Sequence, residues 1–330
     1  PCIGESVVPR DHDAHCSEIT CHPPDPVDGP PTTDNWITCS SVTTTLPVYD
    51  SDQGRTPLVT EFRNLWTHRG LVKLLVGRDL TVRYKRSVLG VWWTLLNPLL
   101  LTGVLYLVFG VAFGSGRFGN VGDPYILYLL SGVLMITFFS QGLLATGAAI
   151  TNASSILSKV YVPSEVFAFS TAFAALANFG LSLIPMFIVQ GIVDFTDGLD
   201  GAWFHWTLVL VPIPVIAMLA LITGGGMIIA AAAVFFYDVM DLMGVVVQLL
   251  YYLSPVFYDV DFVGGADSFF GQAIQANPLF SYLEMFRAFA YRGDIPPGWQ
   301  WAMVLGSGAV FLTLGVWVFS KAWRALVAQL

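Results

Sequence analysis

The stretch Val76-Gly-Arg-Asp-Leu-Thr-Val-Arg-Tyr-Lys-Arg-Ser-Val-Leu-Gly-Val-Trp-Trp-Thr-Leu-Leu-Asn-Pro-Leu99 changes character halfway along. Four bases crowd its first half, and after Arg86 no charged side chain appears until Arg117. A helix crossing the hydrocarbon of a bilayer needs about 20 apolar residues. The second half therefore reads as the entry of a transmembrane span, and the first as its cationic flank. The same test finds further uncharged runs at 124–158, 166–193, 201–237, 242–258 and 295–320. With 87–116 these predict six transmembrane helices, the run at 242–258 being the shortest. The sequence is that of an all-α membrane protein.

Composition agrees. Of 330 residues, 55% are hydrophobic and 12% charged, and the mean hydropathy is +0.66. Soluble domains carry about 25% charged residues, which excludes an ordinary water-soluble enzyme. The formal charge of −8 is uneven: residues 1–60 hold nine acids and two bases, and the rest is nearly neutral. All four cysteines (Cys2, Cys16, Cys21, Cys39) fall in residues 1–60, so no disulfide framework can staple the body. Residues 1–60 are rich in Pro, Asp, Ser and Thr without apolar periodicity and are expected to be a disordered acidic cytoplasmic tail. Residues 61–330 form the transmembrane domain. His12, His15, Cys16, Cys21 and His22 match no standard zinc spacing, so no metal is expected. No signal peptide is expected either, because the first apolar run begins too late.

Orientation follows from Lys and Arg. With the N-terminus cytoplasmic, the inner segments carry ten bases, including Arg69, Lys73, Arg78, Arg83, Lys159 and Lys321; the outer segments carry three, Arg117, Arg287 and Arg292. This positive-inside bias predicts that both termini are cytoplasmic. Residues 61–86 hold seven bases against Glu61 and Asp79, while Val72, Val76, Leu80 and Tyr84 recur every four residues. A basic amphipathic helix along the cytoplasmic surface is expected there; plain juxtamembrane charge is the alternative reading. On the outer side, 259–300 is long and partly apolar, with Ser268-Phe-Phe-Gly-Gln-Ala-Ile274 and Pro278-Leu-Phe-Ser-Tyr-Leu-Glu-Met-Phe286. Too short to span, these segments are expected to dip into the outer interface or return partway.

The spans lack the chemistry of several function classes. No charged residue falls inside the six runs, which disfavours an ion-coupled carrier. No H-E-x-x-H, G-x-S-x-G or G-x-x-x-x-G-K-[ST] pattern occurs, which disfavours a protease and leaves no nucleotide loop. Uphill transport would need energy from another polypeptide. The spans instead contain aromatic rings, among them Trp92, Trp93, Tyr251, Tyr252, Phe257 and Tyr258. Ring faces at span ends commonly form interfacial belts; a ring face can also stack on a sugar without a fixed hydrogen-bond code. Small-residue spacings at Gly110/Gly114, Ala168/Ala172 and Gly226/Ala230 favour close helix packing. Gly224-Gly-Gly, preceded by Pro212 and Pro214, predicts a bent or broken fourth span.

The stretch from Val76 to Leu99 resembles the opening signature of ABC-2 type permeases, most closely the branch exporting polysaccharide, O-antigen and teichoic acid. Ser254-Pro-Val-Phe-Tyr258, Asn277-Pro-Leu and Phe286-Arg287 are similar to the same branch. The resemblance covers the body from about residue 61 onward and implies the ABC-2 exporter fold. It implies a homodimeric permease bound to two copies of a separate ABC ATPase subunit, which would bind ATP and Mg; no cofactor is expected in this chain, nor any catalytic residue. The helix bearing Arg69, Lys73, Arg78, Asp79 and Arg83 would be the interface helix at the ATPase. The segment Thr151-Asn-Ala-Ser-Ser-Ile-Leu-Ser-Lys-Val-Tyr-Val-Pro-Ser-Glu165, with Ile156, Lys159 and Tyr161, would include the coupling helix. The first and fifth spans would line the channel, making Trp92, Trp93, Tyr251, Tyr252, Phe257 and Tyr258 its substrate track, and 259–300 would form the outer gate. The cargo implied is a lipid-linked polysaccharide crossing a bacterial cytoplasmic membrane; membrane lipids are the other expected partners, and nucleic acid is not. An ABC-2 exporter of small amphiphiles, drugs or lipids, and a non-transporting scaffold of a glycan-synthesis complex, are the alternatives.

Overall fold

A computed structural model of the chain describes residues 18–21, 39–42, 69–85, 89–114, 124–157, 165–197, 205–236, 238–265 and 268–327. Within the N-terminal unit, Pro1–Gly54, strand β1 (Glu18–Cys21) pairs antiparallel with β2 (Cys39–Val42), Cys21 standing opposite Cys39. The remainder of the expected acidic tail, with His12, His15, Cys16 and His22, lies outside the described residues.

The second unit, Arg55–Leu330, is helical. Its described elements begin with α1 (Arg69–Tyr84) and α2 (Trp92–Leu105), the latter continued by a π-helical turn, Tyr106–Ala112. Helices α3 (Tyr125–Gly147), α4 (Ala149–Leu157) and α5 (Glu165–Asp197) follow. A 3-10 turn, Trp206–Leu210, leads into α6 (Pro212–Phe235), then α7 (Val239–Leu253). The segment after α7 holds α8 (Phe269–Ala276) and α9 (Pro278–Arg287), extended by a π-helical turn, Ala288–Arg292; α10 (Gly298–Val327) closes the chain.

Among the described residues five helical stretches are long and apolar enough to cross a membrane: Trp92–Ala112, Tyr125–Gly147, Glu165–Phe195, Trp206–Phe235 and Gly298–Ala322. The fifth of the six uncharged runs gives the shorter α7, whose 15 residues rise about 22 Å. That falls short of a hydrocarbon core of about 30 Å. The cause is Pro255: a proline disfavours helical backbone at the residue before it, and Ser254 is extended, with φ −85° and ψ 140°.

Burial divides the helices. In α3, 78% of the apolar window is buried inside the chain; in α2 only 11% is. A helix apolar all round belongs in the interior, and α3 is the axis of the core. Phe138 of α3 stacks on Phe179 of α5 at 4.7 Å, and Phe179 meets Phe286 of α9 edge-on at 5.9 Å. A second cluster joins Leu75 of α1 to Ile150, Val166, Phe167 and Phe319, and α1 packs against α5.

Of the bent or broken fourth span expected, the break is absent at the glycine triplet, while the span changes from a 3-10 turn to an α-helix at Pro212. Helix α6 runs unbroken from Pro212 to Phe235. Pro212 and Pro214 sit in its first turn, where no intrahelical N–H is lost. A Cβ on Gly224 would collide with the Phe311 carbonyl of α10, and one on Gly315 with the Gly224 carbonyl. The glycines therefore let two backbones touch, the small-residue packing of membrane helices.

Candidate functional site

Two polar sites interrupt this apolar bundle, one at each end of α3. The first grows out of the stop in α7. A helix that ends leaves its last carbonyls without intrahelical donors, and inside a bilayer those groups must be satisfied by protein. Tyr258 turns its hydroxyl back to donate to the carbonyls of Tyr252 (3.1 Å) and Leu253 (3.3 Å). Tyr128, one turn into α3, donates to the carbonyls of Pro255 (3.0 Å) and Tyr258 (2.7 Å), and Tyr125 to that of Phe257 (2.8 Å).

Arg287, at the end of α9, is fully buried and completes the arrangement. Its Nη2 donates to the carbonyls of Pro255 (3.0 Å), Tyr128 (3.2 Å) and Val256 (3.3 Å). Its Nη1 donates to Glu284 Oε1 at 2.9 Å, and Arg292 Nη1 to Glu284 Oε2 at 2.7 Å. The guanidinium carbon lies 3.5 Å from the centroid of the Tyr128 ring. Gly132 leaves room for it, since a Cβ there would stand 2.8 Å from Nη2. Asn277 Nδ2 donates to Ser254 Oγ at 3.3 Å while its Oδ1 caps α9 by accepting from the Leu279 N–H at 3.1 Å. Burial alone would raise the Glu284 carboxyl, but Arg287 and Arg292 overcome it and hold the group below its ordinary value. Asp259 goes the other way: burial raises it, partly offset by the hydrogen bond it accepts from the Val260 N–H.

Ser254-Pro-Val-Phe-Tyr258, Asn277-Pro-Leu and Phe286-Arg287, separate in sequence, thus meet around one guanidinium. The positive-inside pattern alone places Arg287 among the outer-segment charges. The signal that could have found it is the Glu284/Arg287 spacing of three residues within an apolar helix.

The second site is a cavity of about 450 Å³ near the Gly147 end of α3, walled by α1, α2, α3 and α5. Tyr84 bridges the walls: its hydroxyl lies 2.7 Å from Thr94 Oγ1 and donates to Asn178 Oδ1 at 2.6 Å. Arg83 Nη2 donates to Gln141 Oε1 at 3.2 Å. Ser182 donates to the carbonyls of Thr94 (3.3 Å) and Asn178 (3.0 Å).

Of the residues singled out from sequence, Asp79, Arg83 and Trp93 line this cavity. Arg69, Lys73 and Arg78 are exposed on α1, and Arg78 pairs with Asp79 at 3.2 Å. Trp92 and Tyr252 are exposed; Tyr251 is half-buried, its ring edge-on to Tyr252 at 5.5 Å. Phe257 stacks on Phe109 at 5.1 Å, and Tyr258 belongs to the arginine site. Among the described residues no ring pair joins the two tryptophans to the aromatics of α7. Ile156 falls in α4, with its side chain outside the description; Lys159 and Tyr161 lie outside the described residues. Among the described residues no group of three or more His, Cys, Asp or Glu is placed to hold a metal.

Residues 70–291 match the ABC-2 type transporter family, from α1 to the turn after α9. An O-antigen export system permease protein RfbA of Myxococcus xanthus is 31% identical over 235 residues, 71% of this chain and 85% of that protein. A protein of the same name from Klebsiella pneumoniae is 25% identical over 254 residues, 76% of this chain and 91% of that protein.

Proposed function

The chain belongs to the ABC-2 type transporter family, and from that premise we propose that it is the membrane permease of an ATP-driven exporter moving a lipid-linked polysaccharide across a bacterial cytoplasmic membrane. The observation that carries this is the identity with the O-antigen export permease of Myxococcus xanthus, which extends over 85% of that protein. Two copies form the passage, each joined to a separate ATPase subunit that binds ATP and Mg; this chain hydrolyses nothing itself. Both termini are cytoplasmic. Helix α1 lies at the cytoplasmic face beside the ATPase, and the connection from α4 to α5, with Ile156, Lys159 and Tyr161, receives its motion. Helices α2 and α7 line the passage, and α8 and α9 form the outer gate.

The exposed side chains of α2 and α7 support this arrangement. Leu100 and Val104 on α2, Leu107 and Val111 on the π-helical turn that continues it, and Leu242, Val245 and Leu249 on α7, are apolar and uncovered within one chain. A second copy and lipid are the partners such faces fit. Deleting the gene tests the reading: surface polysaccharide should disappear, with lipid-linked glycan accumulating on the cytoplasmic side, and the intact gene should restore it. Undiminished surface glycan, or a defect confined to resistance against small amphiphiles, refutes the proposed cargo.

A further inference from the structure

We infer that the cavity between α1, α2, α3 and α5 is a binding site for a sugar residue attached to a lipid anchor, the sugar nearest the lipid in the exported glycan. The inference rests on the export reading and adds to it a place and a chemical class of ligand.

Two carboxamides carry the argument. Asn97 on α2 and Gln141 on α3 both line the cavity and are both exposed within the chain. Asn97 lies five residues from the start of α2 and Gln141 six from the end of α3, which places them about 8 Å inside their helix ends. A carboxamide facing hydrocarbon at that depth costs several kcal/mol unless its hydrogen bonds are made. Gln141 has its oxygen engaged by Arg83, which leaves its amide N–H groups for a further partner, and among the described residues no hydrogen bond engages the amide of Asn97. The cavity therefore offers amide donors and acceptors to whatever enters it.

The walls select among polar contents. The volume, about 450 Å³, falls in the range of about 300–1,000 Å³ of small-molecule sites. Its lining mixes carboxamides and hydroxyls with the ring of Trp93, which is exposed, whereas the lining rings of Phe138 and Phe179 are buried against each other. Hydroxyl-rich ligands with apolar C–H faces need that combination: amide groups for the hydroxyls, ring faces for the carbons. Asp79 is already paired with Arg78, so Arg83, which donates to the neutral Gln141, leaves one cation in the lining, and that suits the phosphate joining sugar to lipid. Tyr84, Thr94, Asn178 and Ser182 are already bonded to one another, so the walls are pre-formed. Beyond Asn97 the exposed Leu96, Leu100 and Leu101 continue along α2 and offer an apolar track for a tail.

The test uses the full permease–ATPase complex in nanodiscs, with a photoreactive diazirine side chain at position 145, whose alanine lines the cavity. A radiolabelled polyprenyl-phosphate hexose should label it. Unlabelled polyprenyl phosphate without sugar, and phosphatidylglycerol, should compete at least tenfold less well than the unlabelled hexose lipid. Asn97→Leu and Gln141→Leu should each raise the half-saturating concentration about tenfold with an unchanged melting temperature. Equal competition by the sugar-free lipids would make the cavity a general headgroup site and overturn the inference. Absence of labelling, or unchanged saturation in both variants, would reduce it to a water-filled space and overturn it too. Those outcomes leave the export reading intact if gene deletion still abolishes surface glycan; if deletion leaves the glycan unchanged, it is the export reading that fails.

Discussion

Replacing Arg287 by methionine removes the donor that closes the broken end of α7. Of the three carbonyls its Nη2 reaches, that of Pro255 keeps the Tyr128 hydroxyl at 3.0 Å, and that of Tyr128 lies within a continuous helix. The Val256 carbonyl is left alone, at a cost of about 1–3 kcal/mol for a buried unsatisfied group. The contact with the Tyr128 ring, at 3.5 Å, adds about 2 kcal/mol when desolvated. Glu284 still has Arg292 at 2.7 Å, so its loss stays below the figure of about 3–5 kcal/mol for a stranded buried charge. The total is about 4 kcal/mol, which for a chain of this size lowers the melting temperature by about 6 °C. Glu284→Gln has the harsher consequence of leaving a fully buried guanidinium without its counter-ion. The double variant R287M/E284Q removes both charges, so its loss should be smaller than the sum of the single losses by about 1–3 kcal/mol, the coupling expected of residues in contact. Melting the purified variants in nanodiscs gives all three values. A melting temperature for R287M within about 2 °C of the parent, or strict additivity in the cycle, would refute the claim that the arginine holds the broken helix end.

The two carboxyls of the outer region should titrate with opposite effect. Glu284 is held below its ordinary value of about 4.3, so its stabilisation is complete above that pH and disappears as pH falls through the lowered folded value; E284Q should lack this acid limb in melting curves. Asp259 is raised, so its ionisation costs stability as pH climbs from the ordinary value of about 3.9 through the raised one, and D259N should flatten that part of the profile. Gly315→Ala forces a Cβ against the Gly224 carbonyl and should destabilise by about 1–3 kcal/mol, read as a lower melting temperature, whereas Gly306→Ala, which meets open space, should not. Tyr252→Ala alters an exposed ring and should slow glycan export without changing dimer assembly or melting; normal export would remove it from the substrate track. Lys159→Ala and Tyr161→Ala should abolish stimulation of the partner's ATPase by the permease, measured on the purified complex, and unaltered stimulation would locate the coupling elsewhere.

The membrane helices were legible because their cause is local. An uncharged run reports its own solvent, and five of the six runs yield helices long enough to cross. The basic helix was legible for the same reason: Leu75, with Leu71 and Val72 beside it, marks the buried stripe, while Lys73, Arg78 and Arg83 remain outside. Gly224-Gly-Gly misled as to a break because glycine has two uses in a bilayer. It weakens a helix and it admits a neighbour, and only the position of Phe311 and Gly315 on α10 selects the second.

The arginine site was illegible for a deeper reason. Counting charges to find spans assumes that a charge marks the aqueous side, and the count places Arg287 in an outer loop accordingly. That assumption fails where a helix must stop inside protein. Pro255 stops α7, the stop frees carbonyls, and freed carbonyls in a dry interior need donors from the protein; tyrosine hydroxyls reach five of them and the guanidinium supplies that of Val256. A guanidinium offers five N–H groups in a fixed fork and stays charged when buried, so it can serve several carbonyls and a carboxylate at once. The donor need not be near in sequence: Arg287 lies 32 residues from Pro255 and 159 from Tyr128. A proline within an uncharged run too short to cross is therefore the cue to look for a cation assigned to the loops, and in this chain Glu284, three residues before Arg287, supplies the counter-charge that makes its burial possible.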